Sequence, residues 1–266
     1  MINGVRNSYS NVIVVDAGNS LYERTRISNL SGDLDLTSAK YSAKAMSEIK
    51  YDIVNIGQND LSGGLDYLKE ITESVNFTLI SANLLSMDTM TPVFEPTVIK
   101  EIGGKRVGFF GVMGGSTSGA HDVDTFIITD PEKAAAKAVE ELRKDCDLVV
   151  ALLAMERVDA NILAKKIPGI DLVITLSRPR PIPRPIEVGN TTMVASDKKG
   201  KRIGRVTVTF LGSGKKNYKG EILPAGLLVR RDRTISKVEN EYYYWLKKHY
   251  PAVIGEKPLP KNGDNK

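Results

Sequence analysis

Six short runs of apolar residues, rich in β-branched side chains, recur along the first two thirds of this chain, at residues 11–16, 52–56, 77–81, 106–112, 147–153 and 171–175. Each is too short for a stable helix and ends near polar or glycine-rich residues, the pattern of a buried strand. Between them, residues 37–50, 64–75, 131–144 and 159–166 carry apolar residues at three-to-four spacing and read as helices. Asp130 followed by Pro131 supplies an N-cap and a first-turn proline for the third of these. Strands alternating with helices restrict the chain to the α/β class, a sheet core with helices on its outer faces.

The last third changes character. Short strands are expected at 191–195, 205–211 and 221–229, as antiparallel additions separated by glycine- and lysine-rich turns. A helix over 232–250 follows, with Ile235, Val238, Tyr242, Trp245, Leu246 and His249 on one stripe, and Pro251 is expected to stop it. This yields an N-terminal extension (1–10), one domain (11–250) and a flexible C-terminal tail (251–266).

Composition removes several kinds of chemistry. A single cysteine, Cys146, makes no internal disulfide and no Cys-based metal site. His121 and His249 are the whole imidazole inventory, a severe limit on transition-metal or histidine-based hydrolysis. No run approaches the roughly 18–20 apolar residues of a membrane helix, and the first residues lack the apolar core of a secretory signal. Charge is polarised: residues 1–150 carry 14 Lys/Arg against 21 Asp/Glu, a net of −7, whereas residues 151–266 carry 23 against 11, a net of +12. A basic half of this kind suits an acidic partner surface; no specific nucleic-acid signal accompanies it.

In open α/β sheets ligand sites gather beyond the carboxyl ends of the strands. The loops there include Asp16-Ala-Gly-Asn19, Gly57-Gln-Asn-Asp60, Ser81-Ala-Asn83, the glycine-rich stretch 111–119, Ala154-Met-Glu-Arg157 and Ser177-Arg-Pro-Arg180. The glycine-rich stretch contains no lysine and so does not form a P-loop. Taken in order, these loops and their strands resemble the catalytic domain of the 5'-nucleotidase branch of the calcineurin-like metallophosphoesterases. Residues 14–19 stand where that family has an apolar strand ending in Gly-Asp, and residues 51–60 where it has Tyr-Asp, apolar residues and Gly-Asn-His-Glu. Ser81-Ala82-Asn83, the strand from Gly104 to Gly111 and Gly169-Ile170-Asp171 match three further segments. The resemblance implies a four-layer αββα architecture, two packed mixed β-sheets sandwiched between helices.

Family members hydrolyse phosphate esters with two metal ions held by Asp, Asn and His. By the same resemblance the family-site positions here hold Asn19 for the bridging Asp, Gln58-Asn59-Asp60 for Asn-His-Glu, whose histidine would assist the leaving group, Ala154 for a histidine, and Ser177 and Pro179 in the last metal loop. The family's first strand, bearing Asp-x-His, has no counterpart in the ten residues before Asn11. The expectation is therefore a degenerate site with no catalytic residue, no bound metal and no cofactor. Asp16, Asn83, His121 and Arg178 are candidates for a residual polar cleft. The chain reads as a non-catalytic binding or structural module; the alternative is a diverged metal-dependent phosphoesterase with an unorthodox site. Family members are mainly exported, and some lie beside multihaem cytochromes, which implies an extracytoplasmic scaffold with an acidic protein partner. Arg178, Arg180 and Arg184, spaced along a proline-rich rod of polyproline II geometry, are the candidate partner contacts.

Overall fold

Every residue of 147–153 except the first is buried, and the reason is its place at the centre of the larger sheet. The computed structural model describes residues 1–25, 27, 32–115, 124–176, 182–195, 202–225 and 231–254. In chain order the elements are α1 (Ile2–Ser8), β1 (Val15–Asp16), α2 (Gly32–Ile49), β2 (Ile53–Asn55), a 3-10 turn (Gln58–Leu61), α3 (Leu65–Glu73), β3 (Thr78–Ile80) and β4 (Leu84–Ser86). Then come β5 (Thr97–Ile102), β6 (Lys105–Met113), β7 (Phe126–Ile128), α4 (Pro131–Leu142), β8 (Leu148–Ala154), α5 (Arg157–Lys166), β9 (Leu172–Thr175), β10 (Ile182–Val188) and β11 (Thr191–Ala195). β12 (Arg202–Phe210), β13 (Lys216–Pro224), α6 (Arg233–His249) and α7 (Pro251–Ile254) complete the series. The chain divides into two compact units, Met1–Arg230 and Arg231–Lys266.

In the first unit a six-stranded sheet runs β10-β11-β9-β8-β6-β5. Its central strands β6, β8, β9 and β11 are parallel, with antiparallel β5 and β10 at the edges. The parallel strands pack on both faces, so they are largely apolar rather than alternating. A three-stranded parallel sheet, β1-β2-β3, and the antiparallel β12–β13 hairpin are separate pieces, as is the short β4–β7 pair.

Three apolar clusters define the layers. Phe110, Val112, Val149 and Val173 pack under α4 and α5 through Ala138, Leu142 and Leu163. Val54, Ile56 and Leu79 pack under α2 and α3 through Ala43, Leu68 and Ile71. Between the two sheets lie Ile53, Ile80, Phe109, Val150, Leu172 and Val194. The order is helices, sheet, sheet, helices, the αββα arrangement expected.

The differences from expectation lie in the edge elements. β1 pairs over two residues only, not over the whole of 11–16. β4, β5 and β7 were not anticipated: β4 and β7 are three residues long, and β5 is a half-exposed edge strand without the continuous apolar run. α2 begins five residues before the expected start, and β13 runs from Lys216 to Pro224 rather than over 221–229. The second half of the proline-rich rod is strand, since Ile182–Val188 pairs with β11 around a bulge between Ile182 and Ile186. Proline is tolerated there because an edge strand has one side that donates to no neighbour.

The second unit is described by itself. Asp232 caps α6, its carboxylate accepting from the amides of Thr234 and Ile235. Trp245 stacks between Tyr242, 6.3 Å away, and His249, 4.9 Å away. α6 ends at His249, before Pro251 as expected, and Pro251 then opens the separate short α7, since proline suits a first turn. Residues 255–266 lie outside the described residues. No helix among the described residues is long and apolar enough to cross a membrane.

Candidate functional site

The loops after β1, β2 and β8 meet where the two sheets come together. Gly18, at φ +105°, carries β1 into this crevice through a gap with no room for a side chain. A Cβ there would sit 2.9 Å from the Asn55 carbonyl oxygen and the Gly57 nitrogen, and 3.0 Å from the Ala154 methyl. Close approach therefore brings Ala154 directly against Gly18. Asn19 follows in the left-handed region, at φ +61°, which asparagine tolerates better than most residues.

Its side chain closes the loop. Asn19 Oδ1 accepts from the Asn59 amide at 2.7 Å, and Asn59 Nδ2 donates to the Tyr22 carbonyl at 3.2 Å. Asp60, 3% exposed, holds three amides. Oδ2 accepts from Asn19 at 2.7 Å and Gly57 at 2.8 Å, and Oδ1 accepts from Leu21 at 2.9 Å. Burial pushes this carboxyl up to about 6 against the opposing pull of those amides, with Asp16 adding to the rise. Asp16 is likewise raised by burial; its Oδ1 accepts from the Gly18 amide at 2.8 Å and the Ser20 hydroxyl at 2.6 Å.

Two buried asparagines hold the surrounding strands. Asn83 Nδ2 donates to the carbonyls of Met113 and Thr129, while its Oδ1 accepts from the Met113 amide. Asn55, which sequence reasoning passed over, has its Nδ2 within 3.1 Å of the carbonyls of Ala17, Val112 and Leu152. It ties the end of β1 to β6 and β8. An asparagine inside the apolar run 52–56 was the available signal, because burying an amide is costly unless it finds partners, as Nδ2 does here.

The structure thus brings Asn19, Asn59, Asp60 and Ala154 into one crevice, with Gln58 beside Gly115, where a Cβ would lie 2.9 Å from Gln58 Oε1. Arg184 is not in this group; it is exposed on the edge strand β10. His121, Ser177, Arg178, Pro179 and Arg180 lie outside the described residues. The described donors do not fit a pair of bridged cations. Both Asp60 oxygens and the Asn19 oxygen are taken by amides, and a methyl group stands at Ala154. Among the described residues no three His, Cys, Asp or Glu side chains converge as a metal-holding group.

No protein-family model matches the chain. A 2',3'-cyclic-nucleotide 2'-phosphodiesterase/3'-nucleotidase of Yersinia enterocolitica is 28% identical over 167 residues, covering 57% of this chain and 26% of that protein. A 5'-nucleotidase of Vibrio cholerae is 29% identical over 126 residues, covering 46% of this chain and 23% of that protein. The chain thus spans about a quarter of the length of these curated relatives. In structure, the calcineurin-like phosphoesterase YfkN of Bacillus subtilis superposes with a TM-score of 0.75 at 18% identity, over 93% of this chain and 87% of that one. The fold is that of the calcineurin-like phosphoesterases, and the sequence relatives place the chain beside the 5'-nucleotidase branch.

Proposed function

We propose that this relative of the 5'-nucleotidase catalytic domain is a non-catalytic module, kept for binding or for structure. The observation that carries the reading is Asp60. A metal-ligating carboxylate must keep lone pairs free for the cation, and here three of about four acceptor sites are taken by the amides of Leu21, Asn19 and Gly57. With Asn19 Oδ1 accepting from Asn59 as well, the polar groups of the crevice mainly join its loops to one another, and the neutral Asn19 supplies no bridging anion.

The partner we propose is a protein with an acidic surface, met by the basic second half of the chain, in an extracytoplasmic setting and with a multihaem cytochrome as the candidate. Arg184, exposed on β10, supports a contact there.

Metal titration calorimetry with Mn²⁺ and Zn²⁺, together with assays on nucleotides and nitrophenyl phosphate, tests the reading. Neither stoichiometric binding nor turnover is expected. Two bound equivalents with turnover lost in Asn19→Ala would overturn it in favour of a diverged metal-dependent phosphoesterase.

A further inference from the structure

The layer facing the six-stranded sheet is broken into two pieces, and the break encloses space. A cavity of about 1040 Å³ lies between β1 and the β12–β13 hairpin. Its floor is the apolar inner face of the large sheet, with Phe109, Val150, Leu172, Ile174 and Val194. Above it stand Ser38, Ser42 and Met46 of α2.

Both walls are strand edges. Val14 gives its main-chain groups to the β2 side: its oxygen accepts from the Asp52 amide at 2.8 Å and its amide donates to Asp52 Oδ2 at 2.7 Å. Main-chain groups alternate along a strand, so those of Ile13 and Val15 face the cavity. No strand among the described residues pairs with this edge of β1, and β12 pairs only with β13. The hairpin is anchored at its far side, where Lys216 pairs with Asp171 at 2.9 Å and Gly220 approaches Pro185 so closely that a Cβ would lie 2.7 Å from its ring. One end is bridged by Tyr9, whose ring lies 5.1 Å from the Arg205 guanidinium on β12.

Strands about 4.8 Å apart, rising about 3.3 Å per residue in layers about 10 Å thick, take up about 160 Å³ per residue. The cavity, part of which runs on into the crevice at Gly18, Asn19 and Asn59, has room for a strand of at most about six residues. Asp16 lines it, and no cation pairs with that carboxylate among the described residues.

We infer that this cavity is a β-strand docking slot, filled by an extended segment of a partner polypeptide that completes the layer between β1 and β12. The segment's chemistry follows from the walls. Alternate side chains facing the floor are apolar, those facing α2 are small or apolar, and a Lys or Arg lies at the Asp16 end. Main-chain bonds to the free edges supply affinity and the alternating side chains supply selectivity. The cavity runs on into the crevice, since Gly18, Asn19 and Asn59 also line it, but the inference rests on the strand edges of β1 and β12 and not on the reading of that crevice.

Random nonapeptides displayed on phage and selected against the 266-residue protein provide the probe, with enriched peptides then synthesised. Expected are alternating apolar sequences with one basic residue. Their binding should slow hydrogen exchange at the Ile13 and Val15 amides tenfold or more and weaken at least tenfold when alternate peptide amides are N-methylated. Asp16→Asn should remove the preference for the basic residue while leaving binding of the apolar pattern. Three results overturn the inference. The first is no enriched peptide; the second is equal binding of the N-methylated peptides, which makes the site an apolar cavity only. The third is a concentration-dependent dimer in which Ile13 and Val15 are already protected, which makes a second copy the occupant.

Discussion

The crevice around Asp60 and the slot beside β1 begin from the same strand and differ in how their polar groups are used. On the β2 side of β1 the main chain is paired, and beyond its carboxyl end every named side-chain bond of Asp60, Asn19 and Asn83 stays within the protein. On the other side the main-chain groups of Ile13 and Val15 meet a cavity. A network closed on itself confers rigidity and leaves little for a ligand. An edge left unpaired keeps its bonding capacity for whatever strand arrives.

Asp60→Ala presses hardest on this contrast. Removing the carboxylate strands three amides in a closed site, and urea denaturation should show a loss of about 3–5 kcal/mol. A loss below about 1 kcal/mol would show that water reaches the crevice and that it is not closed.

Titration sharpens the same point. The folded value of Asp60, about 6, lies above its ordinary 3.8, so the folded state binds the proton more tightly. Its contribution to stability is therefore fully present below about pH 4 and lost as pH rises through 6. The stability of the protein minus that of Asp60→Asn should fall by about 2–3 kcal/mol between pH 4 and pH 7. Taking the difference removes the other carboxylates common to both proteins; a flat difference would show that the amides, not burial, govern the group.

At the slot the effects should be smaller. Val208→Ala, half-buried against the core between the sheets but also lining the cavity, should cost about 1 kcal/mol or less, whereas a comparable truncation in a filled core costs more. A loss above about 2 kcal/mol would mean that the wall is packed rather than open. Least of all, Arg184→Gln should leave stability within about 0.5 kcal/mol, because the side chain is exposed on an edge. Replaced together with Arg178 and Arg180, it should slow capture of an acidic partner at low salt, an effect fading as screening sets in at a Debye length of roughly 8 Å at physiological ionic strength.

Residues 147–153 show what was legible beforehand. An unbroken apolar run of this length bounded by charge fits a buried parallel strand, and β8 is that strand at the centre of the sheet. Asp130-Pro131 likewise opened α4, because a cap acts within one turn. The identities Asn19, Asn59 and Ala154 could be read at their positions in the chain. Their arrangement could not, since Asn55 reaches a carbonyl 97 residues away and Asp60 an amide 41 residues away. The rod at 182–185 shows the limit from the other direction. Its prolines favoured an extended segment, and pairing with β11 made that segment a strand.

By itself, then, the sequence determined the class of fold and the chemical groups available, because burial periodicity and caps act over a few residues. Only the tertiary structure decided that the oxygens of Asp60 and Asn19 are engaged by distant backbone amides and that, among the described residues, no strand pairs with the cavity edge of β1. Whether a hydrogen-bonding group is satisfied depends on what the fold brings beside it from distant parts of the chain, and local pattern carries no record of that.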